Sequence, residues 1–153
     1  MRVILTFPNV RFFYFIHQFI SDAREYLRVL REDNVRSSDD VVDIYDAFIR
    51  DCNPNDLGDE RWMILEQVVV AGFDTHRIDI VDICLRELST MFDTESSLRM
   101  RRLFAMKMEM QEEFEAALEI LNSIIDEDDS NSQARKRKIA ILKVGSSHSK
   151  SIG

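Results

Sequence analysis

Residues 112–129 read Glu-Glu-Phe-Glu-Ala-Ala-Leu-Glu-Ile-Leu-Asn-Ser-Ile-Ile-Asp-Glu-Asp-Asp, and this stretch decides the fold. Phe114, Ala117, Leu121 and Ile124 recur at intervals of three and four, which gathers them on one stripe of an α-helix. The alanine in the middle of that stripe is the informative residue. A small side chain between larger apolar ones marks a place where a second helix comes close. The preceding segment, 96–110, has the same period and brings Phe104, Ala105 and Met108 to one face. A short polar turn joins the two, so the stretch reads as an antiparallel helix pair.

Working outward, the same alternation of apolar stripe and polar break continues. Residues 77–92 carry Ile80, Val81, Cys84, Leu85 and Leu88 on one face, and 60–73 carry Trp62, Leu65, Val68 and Val69. A helix from Ser38 carries Val41, Ile44, Tyr45, Phe48 and Ile49. Asn53-Pro54 ends it, because the residue before proline resists the helical conformation, and 55–59 reads as a loop. Residues 21–33 form a helix with Ala23, Tyr26, Leu27 and Leu30 inward, and a last helix runs over 132–144. Residues 145–153 are rich in serine and are expected to be disordered. Residues 1–20 are an atypical leader, dense in aromatics. Pro8, Asn9 and Arg11 interrupt its apolar run and no small-x-small cleavage site follows, which disfavours a signal peptide.

Composition agrees with helices and excludes several classes of function. With 4 Gly and 2 Pro in 153 residues, there is little of the turn chemistry that an all-β fold needs. The length suggests one domain, taken as 21–144. The net charge of −8 opposes general binding to phosphate backbones. No run approaches the ~20 apolar residues of a membrane-spanning helix. Cys52 and Cys84 lack metal-ligand spacing and read as buried, reduced thiols. His17, His76 and His148 are scattered without zinc spacing. Neither a glycine-rich phosphate loop nor a nucleophile elbow is present. No catalytic, cofactor or metal site is expected.

The fold class is therefore all-α, an α-solenoid of antiparallel helix pairs of the tetratricopeptide type, whose period is about 34 residues. Phe114 takes the aromatic position of that repeat, Ala117 the small one, and Leu121 and Ile124 the next two core positions. Phe104 and Ala105 stand where Leu-Gly is common. Asp129 replaces the usual proline. Pairs are expected near 61–93 and 98–131, with an incomplete third from 132.

Trp62, Glu66-Gln67-Val68, Cys84-Leu85-Arg86-Glu87-Leu88 and the run Ala134-Arg135-Lys136-Arg137-Lys138-Ile139-Ala140-Ile141 lie within a stretch, 61–143, that resembles the second-subunit family of the endoplasmic reticulum membrane protein complex. Residues 31–49 resemble it more loosely. The resemblance implies a scaffold peripheral to the cytosolic face of the endoplasmic reticulum membrane, binding cytosolic parts of other subunits. The complex inserts tail-anchored and multi-pass membrane proteins, and the subunit carries no catalysis and no cofactor. That family continues through further repeats, so the chain is expected to be a partial one. The alternative function is a free-standing tetratricopeptide adaptor or co-chaperone that binds peptides.

The candidate partner-binding residues come from helix geometry. Lys136 and Lys143 share a face with Gln133, and Arg99 and Arg102 take the corresponding place, beside Met106, on the earlier helix. In arrays of this type that face lines the groove, and a basic groove suits an acidic or C-terminal peptide. Repeat packing is assigned to Phe104, Ala105, Phe114, Ala117, Leu121 and Ile124.

Overall fold

A computed structural model describes residues 10–149, with side chains described over 16–147. The chain divides into two compact units, Met1–Thr75 and His76–Gly153. Every described element is helical. The helices of Arg61–Asp74 and Ile78–Met91 fall in different units.

The first unit contains α1 (Val10–Glu32), α2 (Ser38–Ile44) and α3 (Arg61–Asp74). Helix α1 starts well before Ser21, so 10–20 continue the repeat helix, and Ile20 is buried with Ala23, Leu27 and Leu30. The aromatic stretch keeps the helical period through Ile20, which is why no break falls there; residues 1–9 of the leader lie outside the described residues. Helix α2 passes into a π-helical turn, Tyr45–Ile49. That widened turn rotates the stripe. Val41, Val42, Tyr45 and Ile49 are buried, whereas Phe48 is 39% exposed and stacks on Phe19, with ring centroids 5.7 Å apart. The expected loop 55–59 is instead part of a 3-10 segment, Pro54–Glu60. Asn53 caps its start, accepting from the Asn55 N–H at 3.0 Å, and Leu57 is buried.

Charged side chains fix how α1 meets α3. Arg24 lies 3.5 Å from Glu60, and Arg31 reaches Glu60 at 2.6 Å and donates to the Gln67 side-chain Oε1 at 2.8 Å. Gln67 in turn donates to the Leu27 carbonyl at 3.2 Å. The contacts Arg24–Glu60 and Arg31–Gln67 both span 36 residues, so α1 and α3 run in the same direction. Helix α2 runs against α3, because Arg36 and Ser38 at its start hold Asp74 at the end of α3, at 2.7 and 2.5 Å. Two parallel helices with an antiparallel one between them form one step of a helical repeat.

The second unit contains α4 (Ile78–Met91), α5 (Leu98–Met110), α6 (Phe114–Glu127) and α7 (Ser132–Ser149). Ser97 caps α5, accepting from the Met100 N–H at 3.3 Å, and Asn131 caps α7, accepting from the Ala134 N–H at 3.1 Å. Both side chains satisfy N–H groups that the first turn leaves free. Arg101 near the start of α5 pairs with Glu127 at the end of α6, so the two helices are antiparallel. Their core is a cluster of Ala105, Ala117, Leu121, Ile124, Ala134 and Ile141, with Phe114 and Met108 partly buried against it. Leu103 is fully buried, whereas its neighbour Phe104 is half-buried. Val81, Cys84 and Leu85 are buried in α4, and Cys52 in the first unit is only half-buried. Helix α7 extends to Ser149, through residues expected to be a disordered tail. Within it the Ser146 and Ser147 hydroxyls donate to the Lys143 carbonyl at 2.9 and 3.0 Å; 150–153 lie outside the described residues.

With so few glycines, the chain turns corners on other residues. Asn34, His76 and Glu112 all have positive φ, at 54°, 56° and 61°. After α5 the Glu113 N–H donates to the Met108 carbonyl at 2.9 Å, the six-to-one bond of a Schellman turn, in which glycine is the preferred left-handed residue. Glutamate is poorly suited there. Its Cβ crowds the backbone, and its charge meets the negative end of the α5 dipole. Glu112→Gly is therefore expected to stabilise the fold by about 1 kcal/mol, the left-handed penalty less glycine's entropy cost, and to raise the melting temperature. Ala117→Trp should do the reverse. Overpacking a site with no exposed surface costs ~1–3 kcal/mol or more, and an unchanged thermal midpoint would rule out the close helix contact.

Candidate interaction surface

Charge in the second unit is sorted by helix. Helix α5 carries Arg99, Arg101, Arg102 and Lys107 against Glu109 alone, and α7 carries Arg135, Lys136, Arg137, Lys138 and Lys143 with no acidic residue. Helix α6 carries Glu115, Glu119, Asp126 and Glu127 with no basic residue, and α4 sets Asp79, Asp82 and Glu87 against Arg86. The net charge of −8 thus conceals a basic pair of helices, α5 and α7, beside two acidic ones.

Several of these charges are structural. Arg101 binds Glu127 and Ser123 of α6, Lys107 reaches Asp82 of α4 at 2.8 Å, and Arg137 reaches Glu109 of α5 at 2.6 Å. Arg135 is held by Asp129, to which its Nε donates at the backbone carbonyl at 2.8 Å. The basic run 135–138 is therefore divided. Arg135 and Arg137 fasten the start of α7, whereas Lys136 and Lys138 make no ion pair among the described residues.

The Arg137–Glu109 pair identifies the edges on which α7 and α5 face each other. At about 100° per residue, Gln133, Lys136, Ala140 and Lys143 follow Arg137 around α7 on the side away from the buried Ala134 and Ile141. Arg102, Met106 and Arg99 follow Glu109 around α5 in the same way, away from Ala105. Gln133, Lys136 and Lys143 are exposed, as is Arg99, and Arg102 is half-buried. The packing residues occupy the other side. Ala105, Ala117, Leu121 and Ile124 lie in one buried cluster with Phe114 against it. Phe104 instead lines an open cleft of about 400 Å³ with Met108, Ile120 and Arg101. Sequence periodicity did not separate Phe104 from the core, because which of the adjacent Leu103 and Phe104 is covered depends on the neighbouring helices.

At the start of α4, Arg77 grips Asp79 through two hydrogen bonds of 2.9 and 2.8 Å. These bonds, followed by the guanidinium charge and the backbone N–H groups of Ile80 and Asp79, lower the Asp79 carboxyl to about 2 against the opposing effect of burial. No group of three or more metal-ligating side chains occurs among the described residues, and no described helix is long and apolar enough to cross a membrane.

No family model matches the chain. Curated proteins do. The ER membrane protein complex subunit 2-B of Xenopus laevis is 40% identical over 122 residues, 80% of this chain and 40% of that protein. The subunit 2-A of the same frog is 38% identical over 131 residues, 86% of this chain and 43% of that protein. The chain is a homologue of ER membrane protein complex subunit 2. The ER membrane protein complex subunit 2 of Dictyostelium discoideum is 31% identical over 131 residues, 85% of this chain and 40% of that protein. The chain spans about 40% of the length of these relatives. Two stretches singled out for this resemblance have visible structural work. Gln67 of Glu66-Gln67-Val68 ties α3 to α1, and Arg137 of the basic run ties α7 to α5.

The Arg77–Asp79 contact has a pH signature. A carboxyl whose pKa is lower in the folded state contributes its full stabilisation above the ordinary carboxylate range and loses it as the pH falls through about 2. Titration of Asp79 followed by NMR should have its midpoint near that value, and Arg77→Ala should move the midpoint upward. An unshifted midpoint in the variant would remove Arg77 as the cause.

Proposed function

We propose that the chain acts as a non-catalytic scaffold within the endoplasmic reticulum membrane protein complex. In this role it sits on the cytosolic side, peripheral to the membrane, and binds cytosolic parts of other subunits. It thereby supports the insertion of tail-anchored and multi-pass membrane proteins. The observation that carries this reading is the 38–40% identity to proteins of that name across 80–86% of the chain. The architecture supports it. Helix pairs of the tetratricopeptide type present broad faces with repeated polar positions, the geometry by which solenoids hold partner polypeptides. The absence of a spanning helix among the described residues fits a peripheral subunit.

Epitope-tagged chain purified from detergent-solubilised membranes should bring down membrane subunits of the complex in stable proportion. Recovery with cytosolic chaperones alone would replace this reading with that of a free-standing adaptor.

A further inference from the structure

We infer that the cleft beside Phe104 is a binding site for a small amphipathic cation, an aromatic or branched apolar body carrying an ammonium group. The inference stands apart from the scaffold reading and from the basic face of α5 and α7. At about 100° per residue, Phe104 and Met108 lie on the far side of α5 from Arg99, Arg102 and Met106.

The cleft has a volume of about 400 Å³, and its apolar lining comes from Phe104 and Met108 of α5 and Ile120 of α6. All three are half-buried, so none is sealed into the core with Ala105 and Ala117. The opening arises because α5 packs along α6 but meets α4 only sparsely. Turns of three and four residues join α5 to α6 and α6 to α7, whereas six residues, 92–97, separate α4 from α5. Thr94 and Glu95 of that longer turn form a further edge of the cleft. An aromatic face, a polarisable thioether and a branched aliphatic chain suit a compact apolar body. The volume lies in the range of small-molecule sites.

Charge at the edge decides what that body carries. Arg101 lines the cleft, but its guanidinium is held by Glu127 and donates to the Ser123 hydroxyl at 3.3 Å, and its Nε is covered from solvent. The Ser123 hydroxyl is itself committed, donating to the Ile120 carbonyl at 2.7 Å. Glu95 is exposed, and its carboxylate makes no ion pair among the described residues. The charge left without a counterion among the described lining residues is therefore negative. Helix α6, which forms one wall, adds four acids and no base. A cation drawn by this field meets the Glu95 carboxylate and the face of Phe104 together, which favours an ammonium group. An anion of the same shape would face Glu95 with Arg101 already neutralised.

Methyl NMR of the full chain labelled at the methionine Cε tests the inference, with Met108→Leu identifying the Met108 signal. The probe is phenethylammonium, compared with phenethyl alcohol and phenylacetate, which keep the ring and alter the charge. The ammonium should shift the Met108 methyl saturably and bind about two- to fivefold more tightly than the alcohol, the range of an exposed ion pair. Phenylacetate should bind most weakly, and added salt should shrink the preference through screening. Glu95→Gln should bring the ammonium down to the level of the alcohol, whereas Glu95→Asp should keep part of the preference. Ile120→Trp, which fills the cleft, should abolish binding of every probe. If circular dichroism shows that variant to be unfolded, Thr94→Trp carries the same comparison. The absence of a saturable shift at Met108, equal binding of ammonium and phenylacetate, or an undiminished preference in Glu95→Gln overturns the proposal. So does binding of a capped phenylalanyl-lysine dipeptide at Met108 about tenfold or more tighter than the amine, which assigns the cleft to a polypeptide.

Discussion

Three alanines, one on each of three consecutive helices, set how closely the helices of the His76–Gly153 unit approach. Ala105, Ala117 and Ala134 have no exposed surface and meet in one cluster with Leu121, Ile124 and Ile141. A methyl group lets two backbones come nearer than a longer side chain permits, and the larger residues around it then interlock at the density of a protein interior. The other features of the unit follow from that approach. Arg101 can reach Glu127 because α5 and α6, the helices that bear them, lie in contact.

The Met1–Thr75 unit solves the same packing problem with charge. Glu60 receives both Arg24 and Arg31, and Gln67 accepts from Arg31 while donating to the Leu27 carbonyl. These side chains are mostly screened from solvent, and a charge withdrawn from water is tolerated when its partner and its remaining hydrogen bonds are supplied. Such a lattice is directional in a way that apolar contact is not. It holds α1 and α3 running in the same direction, and Arg36 and Ser38 on Asp74 tie the start of α2 to the end of α3. The left-handed turns at Asn34 and Glu112 belong to the same economy of glycine, since helices here end on residues that tolerate positive φ less well.

Charge in the His76–Gly153 unit is sorted by helix. Pairing consumes the arginines that hold α5, α6 and α7 together and leaves lysines on the outward side of α7.

The sequence by itself determined the all-α class, the position of nearly every helix and the stripe Phe114–Ala117–Leu121–Ile124, because a 3.6-residue period written in apolar side chains is local information. It also carried the relationship to ER membrane protein complex subunit 2. Only the tertiary structure decided the rest. It continued α1 back to Val10 and α7 on to Ser149. It turned Phe48 outward through a π-helical turn and exchanged Phe104 for Leu103 in the core. It separated the anchoring Arg135 and Arg137 from Lys136, which makes no ion pair among the described residues. Each of these depends on which neighbour a face meets and at what crossing, and four adjacent basic residues on a helix are alike until a carboxylate on another helix selects among them.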